Sequence, residues 1–173
     1  MAPAKSTAPA TTDLLKRSFP PVVDGRTRLL VLGSLPGEQS LAESRYYAHP
    51  RNHFWALIGA VVDRDLVRLD YQARLAALLG AGVGLWDVVA SATRQGSLDT
   101  AIRDMQANPL AQLAATLPQL RALAFNGAKS AEVGRKALTE SALEVIALPS
   151  SSPAYTLSFE AKLARWMELR HFL

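Results

Sequence analysis

Cysteine is absent from this 173-residue sequence, and that absence excludes several kinds of site. A chain without cysteine has no disulfide framework, no thiolate zinc site, no iron–sulfur cluster and no cysteine nucleophile. Long apolar runs are missing too, because no stretch reaches the ~18 residues that a membrane-spanning helix needs. We therefore expect no membrane association and no thiolate-bound metal, with the cytoplasm as the default compartment.

The first residues, 1–12, contain little besides Ala, Pro, Ser and Thr, and no arginine occurs before Arg17. This composition is typical of a flexible tail and differs from that of a signal peptide. No repeat or internal linker follows it. The sequence therefore predicts one domain over residues 13–173, which we expect to be a monomer.

Acidic residues are fewer than basic ones. Nineteen Lys and Arg stand against fifteen Asp and Glu, for a net charge of +4. Fourteen of the basic residues are arginine, whose planar guanidinium can donate two hydrogen bonds to one phosphate. This balance is compatible with a nucleic-acid partner without establishing one, since many basic proteins bind none.

Short apolar runs alternate with amphipathic segments along the chain. Four runs are typical of buried parallel strands: 29–32, 84–89, 120–125 and 145–148. Helical spacing and end signals predict helices between and after them: 52–62, 72–79, 109–116, 128–138 and 158–172. This order predicts an α/β fold, a three-layer α/β/α sandwich around a central four-stranded parallel sheet.

Each predicted strand is followed by a distinctive turn: 33–37, 87–94, 126–127 and 149–153. The carboxyl ends of parallel strands lie along one edge of the sheet, where ligands bind. Polar, glycine-rich residues are also ordinary in loops, so this placement alone indicates a site without identifying its chemistry.

Two familiar motifs are incomplete in this sequence. Residues 127–130 lack the upstream glycine of a phosphate-binding loop. His49 and His53 have the spacing of metal ligands on a helix, but Pro50 lies between them, so we expect no metal site there. A serine hydrolase that uses Ser34, with Glu168 and His171 as relay partners, stays open as a remote alternative.

The densest chemical segment is 45–55, which combines arginines, histidines, aromatics and an asparagine ahead of a predicted helix. Asn52 suits either a helix cap or a ligand at the helix N-terminus. Tyr47 suits either shielding from solvent or stacking on a base. Composition alone does not choose between these roles.

Six motifs in order resemble the hypoxanthine-DNA (deoxyinosine) glycosylase family of the uracil-DNA glycosylase superfamily. They are GSLPG (33–37), YAHPRNHFW (47–55), GLWDVV (84–89), RQGSLD (94–99), FNG (125–127) and LPSSSP (148–153). The resemblance extends over about residues 28–172. It implies the same sandwich fold and an enzyme that flips a deaminated base out of DNA and hydrolyses its glycosidic bond, without a cofactor.

The resemblance also implies roles for particular residues. Leu35 stands where other branches have a catalytic Asp or Asn, so Asn52 is the implied catalytic residue, orienting water or contacting the leaving purine. Tyr47 is implied to stack on the base, and Asp87 to accept a hydrogen bond from hypoxanthine N1–H. A cap or an ion pair is the structural alternative for Asp87.

Two groups of residues complete the predicted site. The base pocket comprises Ser34, Leu35, Pro36, Gly37, Tyr47, His49, Asp87 and Asn126. The DNA-binding residues are Arg45, Arg51, Ser150, Ser151, Ser152, Pro153 and Tyr155, with Arg94 and Lys129 as further candidates for phosphate contacts. Tyr155 follows the serines in the loop that would enter the helix gap, where it would act as a wedge.

The sequence thus favours a base-excision glycosylase for deoxyinosine in DNA. A uracil or mixed-substrate glycosylase, or a relative that binds nucleic acid without turnover, remains as an alternative.

Overall fold

Four parallel strands form the central sheet of the computed structural model, which describes residues 14–173; the tail predicted for 1–12 lies outside them. In chain order the strands are β1 (Leu15–Arg17), β2 (Leu29–Gly33), β3 (Val83–Asp87), β4 (Val89–Thr93), β5 (Arg103–Ala107), β6 (Ala122–Asn126) and β7 (Glu144–Leu148). The helices are α1 (Glu38–Glu43), α2 (Phe54–Val61), α3 (Tyr71–Gly80), α4 (Leu110–Ala115), α5 (Ala128–Ala137) and α6 (Phe159–Trp166).

The central sheet has the order β3-β2-β6-β7 and is parallel throughout. Its register places Gly33 beside Asp87, and Asn126 beside Leu148, so all four strands end together. Strand β2 lies between β3 and β6. The carboxyl edge between them is the place where open α/β sheets bind ligands.

Both faces of this sheet are buried. Along β2, Leu29 and Val31 pack with α2, α3 and α6, whereas Leu30 and Leu32 pack with β4, α4 and α5. A strand that is buried on both faces reads as an unbroken apolar run, which explains why the runs were visible in the sequence. The predicted three-layer sandwich with four parallel strands is confirmed.

A second, antiparallel sheet of order β1-β4-β5 was not predicted. The predicted strand 84–89 in fact ends at Asp87, and the Val88 N–H donates to the Gly33 carbonyl as the chain turns into β4. Strand β5 is exposed along its whole length. Such a strand has no apolar periodicity for sequence analysis to detect.

The helices match their predicted positions with shifted ends. The helix predicted at 52–62 begins at Phe54, and the one predicted at 158–172 becomes a 3-10 helix after Trp166. The short α1 was missed. Within residues 14–173, no helix is long and apolar enough to cross a membrane.

Candidate active site

A cavity of about 570 Å³ opens at the carboxyl edge of the central sheet. The structure places there every predicted base-pocket residue, Asn52, and the predicted DNA-binding residues apart from Arg45 and Arg51. Residues that sequence reasoning had not assigned also line it: Glu38, Gln39, Ser40, Tyr46, Ser97, Leu98, Asp99, Thr100 and Ala154.

Tyr47 forms a fixed aromatic wall of the cavity. Its backbone is left-handed, with φ of 53°, a strained conformation for a residue with a side chain. Its ring stacks on Phe54 with centroids 3.8 Å apart, and its carbonyl accepts from Trp55 Nε1 at 3.2 Å. Since Phe54 covers one face of the ring, the opposite face is the one suited to stack on a ligand.

Asp87, the last residue of β3, is buried in the wall of the same cavity. Its Oδ2 has no hydrogen-bond partner within residues 14–173. Burial and, to a smaller extent, Asp99 raise the pKa of Asp87 from 3.8 to about 7, while Arg94 opposes the shift. Because an unpaired buried carboxylate oxygen is costly, this atom indicates that the cavity suits a ligand with a hydrogen-bond donor at this point.

The glycine at the end of β2 lets this wall close up. A Cβ added at Gly33 would lie 2.6 Å from Asp87 Oδ1 and 3.1 Å from the Tyr47 hydroxyl oxygen. Gly33 therefore allows the carboxylate and the phenol to approach the same point at the edge of the sheet.

Ser34 continues the chain beyond β2 and donates its hydroxyl proton to Asp99 Oδ1 at 2.5 Å. Hydrogen bonds to carboxylates are short because the acceptor is charged. Asp99 belongs to the RQGSLD motif quoted above, but no role had been assigned to it. The structure brings it to the cavity across 65 residues of sequence.

Asn52 lies at the entry to α2, where its Oδ1 accepts from the Phe54 N–H at 2.9 Å. Since the amide oxygen faces the helix, the Nδ2 group is left as the donor; in the described part of the chain it has no hydrogen-bond partner. Asn52 thus both orders the helix N-terminus and brings a free N–H donor to the cavity wall.

His49 is oriented by its neighbour. Its Nδ1 accepts from the Arg51 backbone N–H at 3.1 Å, so a neutral imidazole carries its proton on Nε2. Arg45 and Arg51 themselves are exposed and flank residues of the cavity wall. Arg45 lies over the Tyr71 ring at 5.5 Å.

Asn126, the last residue of β6, links two walls of the cavity, and its amide group is engaged in hydrogen bonds within the protein. It donates to Ser151 Oγ at 2.9 Å and to the Tyr47 hydroxyl at 3.3 Å, and it accepts from the Ser151 N–H at 2.9 Å. Gly127, with φ of 100°, lets Ser150 approach to within 3.2 Å of where a Cβ would lie. Asn126 therefore positions Ser151, and Gly127 leaves room for Ser150.

The loop of residues 149–155, hereafter the serine loop, rests on a buried lysine. Lys162 Nζ donates to the Ser152 carbonyl at 3.1 Å and lies 5.6 Å from the Tyr155 ring centroid. The lysine is fully buried, and this burial lowers its pKa. Tyr155 is 48% exposed at the rim. Sequence analysis placed Lys162 in a helix but gave no signal of its burial.

Arg94 corrects a prediction. It was a candidate for phosphate contacts, but its side chain is buried and donates to the carbonyls of Leu35, Pro36 and Gly96. An arginine in this position cross-links two loops and has no face for DNA. Lys129, the other such candidate, lies outside the cavity lining and 4.0 Å from Glu132.

The relay for a serine hydrolase is not assembled. Ser34 bonds to a carboxylate rather than to a histidine, and Glu168 lies 3.4 Å from Arg165. His171 instead packs edge-on against Phe172. Within residues 14–173, no cluster of three His, Asp or Glu could hold a metal ion.

Known proteins that this chain resembles are described as DNA glycosylases. A family model described as the Uracil DNA glycosylase superfamily matches residues 20–170. The chain is 41% identical to the Hypoxanthine DNA glycosylase of Methanosarcina barkeri (strain Fusaro / DSM 804) and 37% identical to that of Methanosarcina acetivorans; each match covers 88% of this chain and 96% of the relative. A solution NMR structure of a Methanosarcina acetivorans protein superposes with a TM-score of 0.83 at 36% identity, covering 91% of this chain and 98% of that one.

Proposed function

The chain belongs to the Uracil DNA glycosylase superfamily, and we propose that it hydrolyses the N-glycosidic bond of deoxyinosine in DNA and releases hypoxanthine. The family match confirms the resemblance seen in the motifs and the expectation of a DNA glycosylase. Its substrate class is DNA. The cytoplasmic location and the monomer remain predictions.

The observation that carries the substrate assignment is the unpaired, buried oxygen of Asp87. Hypoxanthine has a proton on N1, whereas adenine has only a lone pair there. In its ionised form Asp87 therefore accepts a hydrogen bond from hypoxanthine N1–H, whereas adenine N1 has no proton to donate to it. Leaving a buried acceptor unpaired costs ~1–3 kcal/mol, enough to discriminate between the two bases.

The other walls suit the remaining parts of a flipped nucleotide. The open face of Tyr47 would stack on the purine, and the Nδ2 donor of Asn52 would meet the attacking water or the departing base. Ser150 and Ser152, with the exposed arginines Arg45 and Arg51, would contact phosphates around the lesion. Tyr155 would fill the gap that the flipped base leaves in the duplex.

An excision assay tests this proposal directly. End-labelled duplexes carrying one deoxyinosine, uracil or xanthine are incubated with the protein, and alkali then breaks the strand at any abasic site. We expect cleavage at deoxyinosine. Binding without cleavage at any of these bases would support the non-catalytic alternative and overturn the proposal.

Two Asn52 variants separate the hydrogen bond to the Phe54 N–H from the free amide donor. Asn52→Asp keeps an acceptor for the Phe54 N–H but has no amide donor, whereas Asn52→Ala loses both. We expect both variants to lose excision and only Asn52→Ala to lose stability. Full activity in Asn52→Asp would contradict the donor role.

A mixed-substrate glycosylase is the second candidate, because uracil N3–H and xanthine N1–H offer Asp87 the same kind of donor. Equal excision of all three bases would favour this alternative. Asp87→Ala, which removes the acceptor, should lower deoxyinosine excision roughly tenfold to a hundredfold, in line with a hydrogen bond to a charged group.

A further inference from the structure

The first loop of the site lacks a polar side chain where the resemblance implies a catalytic Asp or Asn in other branches. Leu35 occupies that position, and it is buried in the apolar cluster with Leu32 and Trp86. No chemistry is available from Leu35. A carboxylate nevertheless reaches this part of the cavity from a distant segment, because Asp99 bonds to the preceding residue, Ser34.

Only one oxygen of Asp99 is engaged. Its Oδ1 accepts the Ser34 hydroxyl proton at 2.5 Å, and it takes part in no ion pair within residues 14–173. Its Oδ2 has no hydrogen-bond partner among the described residues and is not among the atoms sealed from solvent. Since Asp99 lines the cavity, this oxygen is available to hold a water molecule there.

The segment that precedes Asp99 is fixed by side-chain hydrogen bonds. Arg94 joins the carbonyls of Leu35 and Pro36 to that of Gly96, and Ser97 Oγ accepts from the Glu38 N–H at 2.9 Å. Preorganisation of this kind is what a catalytic group needs, because it removes reorganisation cost from the reaction step.

We propose that Asp99 is a catalytic residue that holds and deprotonates the attacking water, a role that rests on the proposed glycosylase function. In the step, the water oxygen bonds to C1′ of the deoxyribose, and the C1′–N9 bond breaks with its electron pair remaining on hypoxanthine. One water proton passes to Asp99 and then to solvent. The departing base takes up a proton from solvent, so the products are an abasic sugar and neutral hypoxanthine.

The two carboxylates of the cavity, Asp87 and Asp99, then have different roles in the reaction. Asp87 faces the base and governs which base is accepted. Asp99 acts at the sugar, where positive charge develops in the transition state and where a nearby negative charge is stabilising. A sugar-directed group should affect every substrate equally, whereas a base-directed group should alter the ratio between substrates.

Asp99→Asn is the decisive variant, because the amide oxygen can still accept from Ser34 while the charge and the basicity are lost. Single-turnover excision is measured on deoxyinosine and on a second base that the wild-type protein excises, together with duplex binding. We expect the rate to fall by about 100-fold or more, as for loss of a general base. The factor should be the same for both bases, with binding within threefold of wild type.

The matched control is Asp63→Asn, at an exposed position with φ of 55° that asparagine tolerates well. Its rate should equal that of the wild type. A rate for Asp99→Asn within threefold of wild type, or a loss that depends on the base, would overturn the proposal. If Asp99→Asn fails to fold, Ser34→Ala serves instead, and we expect it to slow both bases equally by roughly tenfold; an unchanged rate would overturn the proposal.

Failure of the proposed function has a different outcome. If the wild-type protein excises none of the bases, the glycosylase proposal fails. If wild type excises deoxyinosine and Asp99→Asn does so equally well, only the role of Asp99 fails.

Discussion

Two buried cations lie behind the cavity, and their surroundings differ. Arg94 makes hydrogen bonds to three carbonyls and lies in the field of Asp99 and Asp87. Lys162 makes one hydrogen bond, to the Ser152 carbonyl, and burial lowers its pKa with no carboxylate of residues 14–173 opposing the shift.

Because of this difference, the two buried charges have different roles. The charge of Arg94 is partly balanced by Asp99 and Asp87, although neither forms an ion pair with it, and its hydrogen bonds fix the wall that carries Asp99 and the first loop. The charge of Lys162 is unbalanced and lies under the serine loop, where a positive potential favours phosphate. Arg94 therefore holds the geometry of the base site, whereas we expect Lys162, beneath the serine loop, to favour binding of the DNA backbone.

The sharpest test of the comparison is Arg94→Met, which keeps the side-chain length and removes all three donors. Buried carbonyls would lose their partners and nearby carboxylates their counter-charge, so we expect the free energy of unfolding to fall by about 3 kcal/mol or more. Urea denaturation measures this loss. Arg68→Met, at an exposed arginine paired with Asp65, is the control and should change stability by less than ~0.5 kcal/mol.

The pH dependence of stability tests the balanced side in another way. Because the pKa of Asp87 is raised in the fold from 3.8 to about 7, the folded protein keeps a proton that the unfolded chain releases. The contribution of Asp87 to stability should therefore decrease as pH rises from about 4 to about 7.

Asp87→Asn cannot titrate, so its stability should lack this decrease, and above pH 7 the variant should be the more stable protein. Urea midpoints measured from pH 5 to 8 would show it. Parallel curves for the two proteins across this range would contradict the raised pKa.

Lys162→Met tests the unbalanced cation and should affect stability less than Arg94→Met. The lost hydrogen bond is offset by no longer burying an ammonium group, so we expect a change of about 1 kcal/mol. Binding to duplexes with or without deoxyinosine should weaken alike, by roughly tenfold at low salt. Lys136→Met, at an exposed lysine near Glu132, is the control. A loss confined to lesion-containing DNA would contradict the backbone role.

The smallest change in stability is expected for Tyr155→Ala, since the ring is half exposed. Excision of deoxyinosine should fall roughly tenfold in duplex DNA and less in single strands, where no gap needs filling. Tyr155→Phe should retain the duplex activity. Equal losses on duplex and single strand would rule out a wedge.

Much of this site could be predicted because its residues adjoin strands that are visible in the sequence. Gly33, Asp87 and Asn126 end buried apolar runs, and parallel strands bring their carboxyl ends to one edge. The motif order then indicated the family. The sheet β1-β4-β5 was missed because β1 has only three residues and β5 is exposed, so no burial pattern marks it.

The sequence by itself determined the layered fold and the edge of the sheet where the cavity lies, since local apolar periodicity and strand order dictate these. Most of the residues around the cavity followed from the resemblance of the motifs to a known family. Only the tertiary structure decided which polar residues work together. Ser34 and Asp99 meet across 65 residues, and Arg94 and Lys162 turn inward to backbone carbonyls. A basic residue in a polar segment reads as exposed, and carbonyl acceptors leave no trace in side-chain patterns, so these contacts exist only once the chain is packed.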